Sequence, residues 1–273
     1  MNKILEHSLV NCNPERFKTI KEEALSFCNE FVGHTIMRDD IFSLISLFAK
    51  KRNFPFKLLR FPIDDTELCA FTCVKKGTVF VTINTAIPLG KQVFAAAHEL
   101  YHIIRFIKTN DLEFIENGSL LTSSQMENGD LLEEDKEANA FSALILAPKT
   151  SIKEQAQIYN VSFSNLTFKE IILFMDLFAL PYKAMVMRCF ECGFIDKGKT
   201  EELLNSETND SIIHFCESNG LETRWLKTTP CINNIESIRA MIEKNKQDEV
   251  ISEIRADEDL IYIEAIVSNL PRS

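Results

Sequence analysis

The stretch FAAAHELYHIIRF, residues 94–106, constrains this chain more than any other. It sets His98, Glu99 and His102 among apolar neighbours. On a helix the two histidines stand one turn apart on one face, with Cβ atoms about 5–6 Å from each other. Both imidazoles then reach one tetrahedral ion at about 2.0–2.1 Å. Glu99 lies to one side, where it binds a water without becoming a ligand and acts as general base. The bland alternative is a buried helix with two satisfied histidines. A motif this short carries a false-positive risk, so the rest of the chain has to support it.

The 273 residues suffice for one large domain or two modest ones, with a core that needs no staples. A formal net charge of −10 disfavours direct nucleic-acid binding, which needs a basic footprint. Eight cysteines are scattered along the chain, and its first residues show no uninterrupted apolar core of the signal-peptide kind. Both features suggest a reducing, cytoplasmic setting with free thiols. The most apolar run, residues 171–187, is broken by Asp176, Pro181 and Lys183, which makes a poor membrane span and a good pair of core helices.

Spacing predicts helices over 15–32, ending near Gly33, and over 39–51, with Asp39 and Asp40 as N-cap candidates. Residues 54–62 read as extended. Residues 68–84 read as two strands about a Lys75–Lys76–Gly77 turn, with Val79, Val81 and Ile83 alternating. The motif helix runs over about 91–107. A polar loop over 108–130 follows, long enough to suggest a lid over a cleft. A second strong helix ends at Pro148, and helices over 151–159, 166–179 and 182–192 close on Gly193. The fold expected is α+β, a mainly helical core (1–198) with a small antiparallel sheet. A small C-terminal α+β appendage (199–273) has DLIYIEAIV, residues 259–267, as its best strand.

A catalytic zinc site needs a third protein ligand and an open fourth position. Glu133, Glu134, Asp135 and Glu137 on the second helix are the candidates. An acidic first turn that favours the helix dipole accounts for some of them, not for all. An electrophilic partner for the reaction would come from Tyr101, Tyr159, Tyr182, His34 or His214. Of these, Tyr101 is expected to turn into the core.

Three segments together, VFVTIN, TAIPLGKQVFAAAHELYHII and EEDKEANAFSALILAP, resemble the ImmA/IrrE family of zinc metallopeptidases. The resemblance covers about residues 35–150. It extends over FKEIILFMDLFALPYKAMVMRCFECGFI, which is similar to that family's helix-turn-helix-like segment, and leaves 199–273 unmatched. It implies a small α+β peptidase core and cleavage of a partner helix-turn-helix repressor, which relieves repression. His98 and His102 are then zinc ligands and Glu99 the general base. The family's third ligand is usually a Glu four residues before an Asn or Asp. Asn139 fills the latter place here, so Asp135, one methylene shorter, is the matching ligand. Asn139 shares its face and would orient a ligand. Glu134 takes over if the register slips by one, and Glu137 sits on another face. The shorter Asp favours an alternative, a non-catalytic anti-repressor that grips the repressor on the same scaffold.

Further expectations concern other segments. An extended substrate pairs along 78–84 as a sheet edge, so that Val81→Pro weakens cleavage without loss of metal. Cys189 and Cys192 are reduced packing residues rather than a redox pair. Residues 165–193 have a helix–turn–helix rhythm, but only Lys183 and Arg188 supply positive charge on the second helix, so core packing or repressor docking fits better than DNA binding.

Overall fold

The computed structural model of the chain describes residues 2–33, 36–109, 118–128, 132–206, 209–221, 223–233 and 235–270. Its sheet is organised by a two-residue turn. Lys76 (φ 50°) and Gly77 (φ 75°) both adopt left-handed backbone, the combination whose twist matches a hairpin. They join β2 (Leu68–Lys75) to β3 (Thr78–Asn84). β1 (Phe56–Phe61) lies parallel to β3, and β4 (Ser119–Thr122) antiparallel to β2, giving the order β1-β3-β2-β4. The sheet is therefore mixed rather than antiparallel. Residues 62–67 make no hairpin, and β2 follows on the far side of β3.

β3 is an inner strand with Val79, Val81 and Ile83 buried. The expected substrate edge is not there, and a proline at Val81 would break the centre of the sheet. β1 has its outer edge covered. Asn233 donates its backbone N–H to Arg60 O (3.0 Å) and accepts from Arg60 N on Oδ1 (2.5 Å). Its amide also donates to Leu58 O (3.2 Å). One residue, through backbone and side chain together, thus stands in for a neighbouring strand.

Two short helices, α1 (Lys3–Glu6) and α2 (Leu9–Cys12), lead into α3 (Pro14–Phe31). Asn13 caps α3 through Arg16 N, and Pro14 occupies the first turn, where a missing N–H costs nothing. α4 (Ile41–Lys51) begins as expected, but Asp40 makes no side-chain capping bond. Asp39 instead binds Arg224. α5 (Leu89–Thr109) is the motif helix, and every residue from Val93 to Ile104 is buried. It lies on β2 and β3 with α4 and α7 (Glu133–Leu146) beside it, and α7 also packs on α3. Phenylalanines from three helices meet there: Phe27 lies 4.9 Å from Phe31 and 5.7 Å from Phe141, and Phe31 lies 5.3 Å from Phe48. Such pairs add about 0.5–1.5 kcal/mol each beyond their burial.

The expected 108–130 loop holds regular structure where it is described: α5 runs on through Thr109, and β4 and the short α6 (Ser123–Asn128) occupy 119–128. A four-residue strand is too short to show alternation. Of the rest of the expected lid, 110–117 and 129–130 lie outside the described residues. α8 (Lys149–Ile158), α9 (Phe168–Phe178) and α10 (Tyr182–Glu191) follow the predicted spans. Thr167 and Glu170 form a capping box at the start of α9.

The C-terminal region is α11 (Lys197–Ser206), α12 (Asn209–Ser218), α13 (Ile235–Gln247) and α14 (Glu253–Asn269). Residues 259–267 are thus helix, not strand. Their β-branched composition is overridden by the Ser252 cap on Arg255 N and by pairing with α13 through Arg239–Glu264 and Lys246–Glu253. Before α13 the chain returns to the motif helix. Trp225 is buried with its carbonyl against Gly90, and Leu89 N donates to Lys227 O (3.0 Å). The N-terminal end of α5 is therefore clamped from the C-terminal region. No helix among the described residues is long and apolar enough to cross a membrane.

Candidate metal centre

His98 and His102 face α7 from adjacent turns of α5. Their Nε2 atoms lie 3.0 Å apart, and Asp135 Oδ1 is 3.5 Å from each. Three tetrahedral ligand atoms at about 2.0–2.1 Å from zinc stand about 3.3–3.4 Å apart, so this triangle has the right size. The orientation of each ring is fixed from behind. His98 Nδ1 lies 2.8 Å from Asn139 Oδ1 and His102 Nδ1 lies 2.9 Å from Glu134 Oε1. Both oxygens only accept, so both Nδ1 atoms donate, and each Nε2 is left to present a lone pair to an ion. Asp135 and Asn139, four apart on α7, thus serve one site in different ways. Glu134 orients His102 instead of replacing Asp135.

Glu99 is fully buried. Its Oε2 accepts from Thr72 Oγ1 (2.6 Å) and from Ser119 Oγ (2.5 Å). Its Oε1 is buried and has no hydrogen-bond partner. Leaving a buried carboxylate oxygen unpaired is costly, and a water awaiting deprotonation would satisfy it. Thr72 and Ser119 are direct neighbours across β2 and β4. Gly118 permits that pairing: its φ is +68°, and a Cβ there would fall 2.1 Å from Thr72 O. The sequence reading missed both hydroxyls. The available signal was Thr72, a polar residue on the inward face of a strand beside the motif.

The remaining acids separate cleanly. Glu133 is exposed and pairs with Lys136. Glu137 ties three helices: it accepts from Arg16 Nε (2.6 Å), Tyr101 OH (2.5 Å) and Arg105 Nη1 (3.2 Å). Burial alone would raise its pKa, but the Arg16 and Tyr101 hydrogen bonds outweigh that and lower it. Burial and the adjacent Glu137 push the Tyr101 phenol above its ordinary range. A depressed carboxylate stabilises the fold above its unfolded pKa, and that contribution is lost as pH falls through the folded value. Glu137→Gln is therefore expected to cost about 1–3 kcal/mol near neutrality, less the screening of two one-third-exposed arginines. Urea unfolding should show the gap to wild type closing below about pH 4.

Burial pulls the His102 pKa down, but hydrogen bonds to Asp135 and Glu134 more than reverse this and raise it to about 9. Those histidines conversely hold the Asp135 carboxyl well below its usual range against the effect of burial. Without metal, His102 is therefore protonated at neutral pH. A metal must displace that proton, so affinity should rise about tenfold per pH unit up to about pH 9. Chelator competition between pH 6.5 and about 8.5, corrected for the chelator's own protonation, checks this. A flat profile would mean that metal displaces no proton from His102 in that range.

Tyr182 donates to Leu203 O, Tyr159 is exposed at the end of α8, and His214 is exposed on α12. His34 lies outside the described residues. Cys189 and Cys192 are buried, and burial raises both thiols. Arg188 is only 3% exposed and donates to Ala147 O and Glu191, so it offers no charge to a DNA backbone.

No protein-family model matches the chain, and no curated protein matches its sequence.

Proposed function

We propose that the chain is a zinc-dependent endopeptidase of the ImmA/IrrE kind, which cuts a partner helix-turn-helix repressor in the cytoplasm and so relieves repression. The observation that carries this reading is the combination of a ligand-sized triangle, His98–His102–Asp135, with the unpartnered Oε1 of Glu99. A buried helix with two self-satisfied histidines would need neither a third donor converging on both Nε2 atoms nor an orphaned carboxylate oxygen beside them. The repressor as substrate rests on the sequence resemblance alone.

Zinc held by His98, His102 and Asp135 would supply a Lewis acid that acidifies water and polarises a carbonyl. Glu99 takes the proton on Oε1 and returns it to the leaving amine. Thr72 and Ser119 hold Oε2, so the carboxylate keeps its aim. Asn139 and Glu134 hold the imidazole planes.

A second reading has its own observation. His98 and Glu99 are fully buried, and His102 and Asp135 nearly so, whereas a peptidase must admit a peptide. A non-catalytic anti-repressor would grip its repressor without opening this site. Zinc content, measured on untagged protein purified without added metal, is the first test. About one ion per chain, lost in His98→Ala, supports the peptidase. A folded protein that neither contains nor accepts zinc excludes it.

A further inference from the structure

A second site lies away from the histidines. A hollow of about 720 Å³ opens between α4, β1 and the start of α13, within the size range of small-ligand sites. Lys50, Lys57 and Arg60 line it, together with Phe42, Phe54 and Phe56. None of its lining residues is acidic, in a chain whose net charge is −10.

Arg60 is the unusual member. Arg16, Arg52, Arg105, Arg188 and Arg224 each reach a carboxylate, whereas Arg60, like Arg38 on Leu177 O, makes no ion pair among the described residues. Its guanidinium lies 3.7 Å from the Phe42 ring centroid and donates to Gln92 Oε1 (3.1 Å). Its Nε is buried without a partner. The carboxylate of Asp39, which acts on it electrostatically, is already held by Arg224. Burial lowers the pKa of this guanidinium, and the charges of Cys231 and Asp39 offset that only in part. Stacking on Phe42 fixes its plane, and a planar donor fork of this kind suits the oxygens of a phosphate.

The other walls complete the recognition. Among the described residues Lys57 Nζ is held by Ser237 Oγ alone (3.3 Å), and Asn233 and Ser46 add neutral polar groups to the lining. Phe54 and Phe56 stand edge to face, with centroids 6.1 Å apart, and both are partly exposed. They offer an apolar surface on which a flat ring can stack.

We propose that this hollow binds a phosphorylated small molecule with a planar ring, of the mononucleotide class, with its phosphate on Arg60, Lys57 and Lys50 and its ring against Phe54 and Phe56. This does not depend on the peptidase reading, because none of these residues belongs to the metal centre.

Titration calorimetry of the full chain with AMP and with inorganic phosphate tests it. AMP should bind at one per chain, at least about tenfold more tightly than phosphate alone, a difference of about 1.4 kcal/mol. Its affinity should fall with added salt, since Lys50 and Lys57 are exposed. Lys57→Glu, at an exposed position that tolerates exchange, should weaken AMP at least about tenfold. Arg60→Met, which keeps an apolar chain of similar length and removes the charge, should do the same. Absence of AMP binding overturns the proposal. So does phosphate binding as tightly as AMP, or AMP affinity unchanged in both variants.

Discussion

Glu99→Gln is expected to lower peptide-bond cleavage by about 10²–10⁴-fold, the range in which a positioned general base contributes, while zinc content and folding stay at wild-type values. The environment of the side chain explains why so large a loss comes with so little disturbance. Thr72 and Ser119 both donate to Oε2, and a glutamine carbonyl oxygen in that place accepts both bonds. The amide nitrogen then falls where Oε1 was. It cannot accept a proton, and it adds no bulk. None of the three candidate ligand atoms belongs to Glu99, so zinc binding is expected to persist. Co-expression with a substrate repressor, with fragments read by mass spectrometry and zinc by elemental analysis, checks both halves. Cleavage that persists in a zinc-loaded Glu99→Gln protein would remove Glu99 from the mechanism. Derepression that persists without cleavage would select the anti-repressor reading instead.

What could be read from the sequence follows from what is local. The His98–His102 spacing is a property of one helix, so it could be read without knowing the fold. The choice of Asp135 and Asn139 came from the family resemblance; the residues alone left four acids of the second helix open. The roles of the neighbouring acids were not legible, because they depend on how α7 lies against α5 and α3. Glu137 meets Arg16 across 121 positions, and nothing in the intervening sequence signals that pairing. The Thr72–Ser119 clamp depends on a strand of four residues, too short for any period to show. Residues 259–267 were misread for the opposite reason: composition suggested a strand, while a cap and a partner helix decided otherwise. The parallel pairing of β1 with β3 was also out of reach, since the hairpin signal at Lys76–Gly77 fixes only β2 and β3.

Asp135 carries the other large expected effect. Asp135→Asn should weaken zinc binding by more than about 100-fold, beyond the 10–100-fold typical of losing a partner behind a ligand. Glu134→Gln, which acts behind His102, should stay within that smaller range. The asymmetry follows from charge: the aspartate is the only anion among the three donors, and the amide that replaces it is a neutral and poorer donor. Asp135→Glu separates the geometry from the resemblance, which favours the longer side chain at this place. Here the shorter one already brings Oδ1 to 3.5 Å from both Nε2 atoms. An added methylene has to fold back or push α7 away from α5, and α7 is held by Glu137 through Arg16 and Tyr101. Asp135→Glu should therefore bind zinc no more tightly than wild type. Chelator competition on all three variants at one pH decides the matter. Wild-type affinity in Asp135→Asn would show that the carboxylate is not a ligand. A gain in Asp135→Glu would show that the two helices part more readily than their shared ion-pair network implies.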